Sequence, residues 1–159
     1  MIRIRPAETG DVERLTELVH ASAAYRGQYA SIIAGYRVTS DYLDRTPTWV
    51  AVDPAGSIRG WISLQLEPLE IDMMFVADSD HGRGIGRGLV ARLLDDARRR
   101  GPGPVRVVAH PDAEGFYRRC GAQRVGTVAP TPPRITWARP ELQFVTTPPM
   151  PRAEPAASQ

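Results

Sequence analysis

The chain of 159 residues contains no lysine; apart from its histidines, every basic side chain is arginine. A P-loop nucleotidase needs a lysine after its glycine-rich turn to reach the terminal phosphates, so that class is excluded. There is one cysteine, Cys120, which rules out an internal disulfide and agrees with a cytoplasmic protein. That cysteine and three scattered histidines lack the spacing of a metal site, and no metal is expected. No stretch approaches the roughly 20 apolar residues of a membrane span. The N-terminus, MIRIRPAETGD, has no apolar core of a secretory signal. Net charge is only +2, and the pI of about 9.0 reflects a small excess of arginine rather than a basic arm. Arg98, Arg99 and Arg100 fall in the last turn of a helix, where positive charge complements the dipole. Neither nucleic acid nor a membrane is therefore an expected partner.

What is present suits one domain with a sizeable core: 42% of the residues are hydrophobic. A first strand spans Ile2 to Arg5. Thr9 can cap a helix with Asp11 and Glu13 in its first turn and Val12, Leu15, Leu18 and Val19 on its apolar face. Tyr25 to Tyr36 reads as a loop with a short helix. Thr39 or Ser40 can cap another through Leu43. Strands follow at Thr48 to Val52 and Ile58 to Leu66, joined by a turn at Asp53-Pro54-Ala55-Gly56. Glu70 to Val76 alternates Ile71, Met73 and Phe75 with Glu70, Asp72 and Met74, a strand with one apolar face. A helix over Ile85 to Arg100 ends at Gly101-Pro102. Further strands are expected at Val105 to Ala109, Arg124 to Val128 and Ile135 to Val145. The domain is placed at 1–146, with a Pro/Ala-rich disordered tail over 147–159. The helix between Met74 and Val105 makes a crossover, so the strands on either side of it run parallel. The fold class is α+β, a mixed and mostly antiparallel sheet of about seven strands flanked by helices.

The most informative stretch is HGRGIGRG, His81 to Gly88. Its glycines at alternate positions lead directly into the helix whose face is Ile85, Leu89 and Leu93, with Val90, Leu94 and Ala97 beside them. A glycine-rich turn that opens a helix presents unpaired N–H groups and the positive end of the dipole, which suits an anion, usually phosphate. The spacing does not match the dinucleotide fingerprint G-x-G-x-x-G. An acidic strand face just ahead of such a turn suggests a site, although a solvated face would carry the same residues.

Two motifs in this order resemble the Gcn5-related N-acetyltransferase (GNAT) family. His81, Gly82, Arg83, Gly84, Ile85 and Gly86 stand where the family has [Q/R]-x-x-G-x-[G/A], with histidine replacing the usual first residue. Ala113 to Gly121, AEGFYRRCG, is similar to the family's A-x-x-F-Y-x-x-x-G helix, and His110 stands where Asn is frequent. The resemblance covers roughly Ile2 to Val145. It implies that the parallel strands splay apart to admit acetyl-CoA, whose pyrophosphate lies on the amides of Gly82 to Gly88. It implies cofactor contacts from Met74, Val76, His81, Gly82, Arg83, Gly84, Ile85, Gly86, Arg87, Gly88, His110, Phe116 and Tyr117. The implied activity is direct transfer of the acetyl group to a primary amine of a small molecule or peptide, in a ternary complex. A non-catalytic acyl-CoA sensor is the alternative, and a homodimer is left open.

Acyl transfer needs a base for the amine, a donor for the developing oxyanion and an acid for the thiolate. Tyr117, in the family's tyrosine position, is the candidate acid: a phenol with a pKa of about 10 stays protonated at neutral pH. Glu70 and then Asp72 are the candidate bases, and each could equally bind a cationic substrate or be solvated. The resemblance makes the Val76 N–H the oxyanion donor. It also places the acceptor between Tyr25, Arg26, Gln28, Tyr29 and Tyr36 on one side and the loop Thr127 to Arg134 on the other. An acidic wall of Glu67, Glu70 and Asp72 would suit a cationic acceptor. Without lysine the chain cannot acetylate its own lysines. Cys120 is expected to be buried and inert, and Trp49, Trp61 and Trp137 to serve as strand residues of the core.

Overall fold

The computed structural model describes residues 1–145; the boundary at 146 and the tail over 147–159 lie outside the described residues. Seven strands form one sheet: β1 (Arg3–Pro6), β2 (Thr48–Val52), β3 (Ile58–Gln65), β4 (Glu70–Val76), β5 (Pro104–Val108), β6 (Gln123–Val128) and β7 (Arg139–Val145). Their spatial order is β1-β2-β3-β4-β5-β7-β6. All neighbours are antiparallel except β4 and β5. The helices are α1 (Val12–Ala21), α2 (Ser40–Arg45), α3 (Ile85–Arg100) and α4 (Glu114–Arg119). This is the mixed, mostly antiparallel architecture expected, with the parallel pair produced by the α3 crossover.

Each face of the sheet carries a core. On one, α3 buries Ile85, Leu89, Val90, Leu93, Leu94 and Ala97 against Trp49, Ile62 and Leu64. These helix residues are the ones its 3.6-residue period selects. On the other, α1 buries Leu15, Leu18 and Val19 against Val50, Trp61 and Phe75. Thr39 caps α2, its side chain accepting from the Tyr42 amide at 3.1 Å.

Three local expectations are corrected. Thr9 does not cap α1. It opens a 3₁₀ turn, Thr9–Asp11, and Asp11 is the residue that organises it. The Asp11 carboxylate accepts the Glu8 amide at 2.8 Å and the Arg5 guanidinium at 2.9 and 3.2 Å. The last strand begins at Arg139 rather than Ile135, because the chain first closes a tight loop through a Thr131–Ile135 bridge. Trp137 therefore lies outside the sheet, edge-on to Tyr29 with ring centroids 4.9 Å apart.

The third correction concerns β4. Ile62 pairs with Met74 but Leu64 pairs with Ile71, so Asp72 and Met73 together face Ser63 in a β-bulge. The extra residue reverses the alternation. Ile71, Met74 and Val76 join the α3 core, whereas Met73 and Phe75 join the α1 core. Past the bulge, β4 is apolar on both faces and not on one.

Candidate active site

The strands β4 and β5 share a single register pair, Glu70 with Arg106, held by the Arg106 amide on the Leu69 carbonyl at 3.0 Å. Beyond it they part. β5 stays with β7 from Pro104–Val145 to Val108–Glu141. β4 stays with β3, and its bulge turns it away from β5. The result is a cleft of about 890 Å³ between the two strands, floored by α4 and open towards the start of α3. The Ala77 amide bonds the Arg59 carbonyl at 2.8 Å, on the β3 side. The pleat then directs the amides of Met74 and Val76 to the opposite edge, into the cleft.

The glycine turn closes one end. Gly82 and Gly84 have φ of +81° and +85°, left-handed values that an L side chain rarely adopts. Gly86 has a different reason to be glycine: a Cβ there would lie 2.9 Å from Met74 Cε and 3.0 Å from Phe116 Cζ. It lets α3 approach both β4 and α4. Buried Asp80 anchors the turn by accepting from Arg59 Nε at 2.6 Å. The amides of Gly82, Gly84, Ile85, Gly86 and Arg87 have no hydrogen-bond partner among the described residues. Those of His81, Arg83 and Gly88 bond the carbonyls of Asp78, Asp80 and Gly84. Five of the seven amides over Gly82 to Gly88 are therefore unpartnered among the described residues.

Tyr117 is buried on the cleft wall, and its hydroxyl donates to Met74 Sδ at 3.6 Å. Burial pushes its phenol above the ordinary value, so the group holds its proton across the neutral range. Phe116 lies beside it with ring centroids 5.2 Å apart. His81 is exposed and reaches back to the Val76 carbonyl with Nε2 at 3.0 Å. His110 has both ring nitrogens engaged. Nδ1 accepts the Asp112 amide at 3.0 Å and Nε2 meets the Ala24 carbonyl at 2.7 Å, so the ring is a neutral Nε2–H tautomer that ties the α1–α2 loop to the end of β5. Only its ring surface is left for a ligand.

The two candidate bases share the α1 side of the sheet but differ in surroundings. Glu70 is absent from the cleft lining, its carboxylate bound to Arg106 Nη1 at 2.6 Å. Asp72 lines the cleft and accepts from the Tyr42 hydroxyl. Of the two carboxylates, Glu70, ranked first as a base, is thus the one held at the strand pair that closes the cleft, while Asp72 faces the cleft. Glu67 is likewise outside the cleft.

A profile described as "Acetyltransferase (GNAT) domain" matches residues 28–128. The chain belongs to this family. It is 29% identical to the peptidyl-lysine N-acetyltransferase YjaB of Salmonella typhimurium over 79% of its own length and 86% of that protein. It is 34% identical to the acetyltransferase Atu2258 of Agrobacterium fabrum over 50% of its length, an alignment that spans about half (55%) of that relative. In fold it is similar to YncA of Salmonella typhimurium, solved with its cofactor acetyl-CoA: TM-score 0.71, 20% identity, 99% of both chains covered.

Two residues of this GNAT domain that shape the site, Tyr42 and Ser63, carried no sequence signal. The Tyr42 hydroxyl also shares a 2.7 Å bond with Ser63 Oγ, and Ser63, fully buried, accepts the Met73 amide at 3.0 Å. That network pins the bulge and with it Asp72. Beside it Tyr36 is pushed up to about 12, by burial first and then by Asp72. Arg134 donates to the carbonyls of Ser31 at 3.3 Å and Ile32 at 2.6 Å, docking the β6–β7 loop on the segment after α1. Cys120 is half-buried, and burial raises its thiol despite Arg87 nearby. Only the pairing of β3 with β4, not a local pattern, could have revealed the parts played by Tyr42 and Ser63.

Proposed function

We propose that this protein transfers the acetyl group of acetyl-CoA to the primary amine of an acceptor, with both substrates bound in one ternary complex. The observation that carries the reading is the parting of β4 from β5 directly ahead of a turn with unpartnered amides at Gly82, Gly84, Ile85, Gly86 and Arg87. Converging N–H groups at a helix start favour a pyrophosphate, and an open strand edge favours an amide-bearing arm. Acetyl-CoA supplies an activated acyl group whose C–S bond breaks as the C–N bond forms. Side chains of Arg83 and Arg87 flank the turn and add positive charge.

Asp72 takes the amine proton, directly or through a water. Tyr42 and Ser63 hold its carboxylate on the cleft side of the bulge. The Val76 N–H, aided by that of Met74, donates to the acyl oxygen as charge develops there. Tyr117 gives its proton to the departing sulfur, which would take the place that Met74 Sδ occupies opposite the hydroxyl. Both protons then exchange with solvent, returning Asp72 to its anion and Tyr117 to its phenol.

A broad amine panel tests this, with free coenzyme A measured by thiol release and products by mass spectrometry. Acetylated product with at least one amine is the expected result. Tight acetyl-CoA binding with no turnover over the whole panel would favour a non-catalytic sensor instead.

A further inference from the structure

Two N–H donors beside the cleft are buried without acceptors: Trp137 Nε1 and Arg139 Nε. The Arg139 side chain makes no hydrogen bond or ion pair among the described residues; the residue is partly exposed, and it is Nε that is buried. A buried N–H without an acceptor is unfavourable, and native folds rarely leave one so. The neighbouring carboxylates do not serve it. Glu141, two residues along the same face of β7, turns to Arg106 Nε at 3.2 Å, and Glu70 binds that same Arg106.

The two donors converge on one aromatic cluster. The β5–β7 register runs Val107 to Leu142 and Val108 to Glu141, and the Ala109 amide bonds the Pro140 carbonyl at 2.9 Å. Continued by one step, it sets Arg139 opposite His110. Trp137 stands edge-on to Tyr29, whose ring lies 4.4 Å from that of His110, and Tyr25 lies 5.1 Å from His110 on the other side. Tyr25 and His110 also line the cleft, together with Tyr117. Tyr25 lies within electrostatic reach of both Arg139 and Tyr117.

We infer that Arg139 and Trp137 form a carboxylate-binding subsite for the acceptor, which makes the acceptor a compact amino acid rather than a lysine within a protein. A guanidinium fork with an adjacent indole N–H suits a planar carboxylate. With Tyr25 in reach of both Arg139 and Tyr117, the subsite suits an acceptor whose amine and anion are only a few atoms apart. This rests on the acetyl-transfer reading and deepens it by naming the substrate class. It also departs from the expected acidic wall: Arg106 neutralises Glu70, and of the three carboxylates named for that wall Asp72 is the one left lining the cleft.

The test uses the full chain with the free L-amino acids and their carboxamides as probes. Binding is read from the ¹⁵N–¹H resonance of the Trp137 indole, identified by its loss in Trp137→Phe. At least one free amino acid is expected to move that proton downfield and to bind about 10–100-fold more tightly than its carboxamide. Arg139→Met should abolish the preference while holding or raising the thermal midpoint, since it removes a buried N–H that has no acceptor. Equal binding of acid and carboxamide, no shift with any acid at millimolar concentration, or equal binding of a lysine peptide capped at both ends would overturn the subsite. So would an Arg139→Met midpoint several degrees lower, which would mean that the fold itself partners the guanidinium. Turnover is measured in parallel to separate the two readings. Acetylation without acid preference overturns the subsite and leaves acetyl transfer standing. Acid-selective binding with no turnover of any amine does the reverse.

Discussion

Removing one oxygen atom tests the chemistry with little disturbance to the fold. In Tyr117→Phe the ring keeps its packing against Phe116 at 5.2 Å and Phe144 at 6.5 Å. Among the described residues, the only hydrogen bond lost is the long one to Met74 Sδ at 3.6 Å. A neutral donor with one weak sulfur acceptor contributes at most about 1 kcal/mol, which in a chain of this size moves the melting midpoint by about 2–4 °C. Catalytically the group matters far more. General acid catalysis is worth on the order of 10²–10⁴ in rate, and the lower bound alone is about 2.7 kcal/mol of barrier. The variant is therefore expected to bind acetyl-CoA with near wild-type affinity by calorimetry while its kcat falls at least about 100-fold. Burial holds the phenol above its usual value, so wild type should show no alkaline limb from Tyr117 up to about pH 10. A kcat within twofold of wild type, measured where chemistry limits the rate, would refute the assignment and leave Tyr117 as a core residue.

Other outcomes follow from the same geometry. Gly84→Ala should weaken acetyl-CoA binding through backbone strain of about 1–2 kcal/mol, since space there is free but φ is +85°. Gly84→Asp and Gly86→Asp should weaken it further by charge. Unchanged affinity in both Asp variants, with circular dichroism intact, would remove the turn from the site. Asp72→Asn should lose rate chiefly at neutral pH and recover as pH rises and more amine is already deprotonated; Glu70→Gln should leave the shape of the pH–rate profile as in wild type. Two profiles parallel to wild type would exclude both carboxylates as the base. Asp11 has its pKa lowered because, against burial, the Arg5 guanidinium and the Glu8 amide stabilise its charge. Its contribution is then present above about pH 4 and lost as pH falls through the depressed value. Asp11→Asn should be less stable at pH 7 by about 1–2 kcal/mol in urea titrations, and the gap should close as the pH is lowered.

The sequence by itself determined the parts whose physics is local. The period of Ile85, Leu89 and Leu93 with the glycines before it placed α3 and its phosphate-type turn, because helix geometry and left-handed backbone are properties of neighbours along the chain. The order of strands and the α3 crossover dictated the parallel pair. The F-Y helix brought Tyr117 into view before any coordinate did. Tertiary structure decided what depends on register between distant segments. An extra residue in β4 leaves no mark on the sequence until Ser63 is set opposite Asp72 and Met73, and that bulge decides which side chains face the cleft. Glu70 and Asp72 are equivalent acids two residues apart in the chain. Pairing with Arg106 removes one from the cleft, and Tyr42, 30 positions upstream of Asp72, orients the other. Trp137 and Arg139 read as ordinary strand residues until β7 is seen to begin at Arg139 and to bring it across from His110. Pairing along a sheet is set by the sum of many weak contacts over the whole fold, and for that reason no single stretch of this chain encodes it.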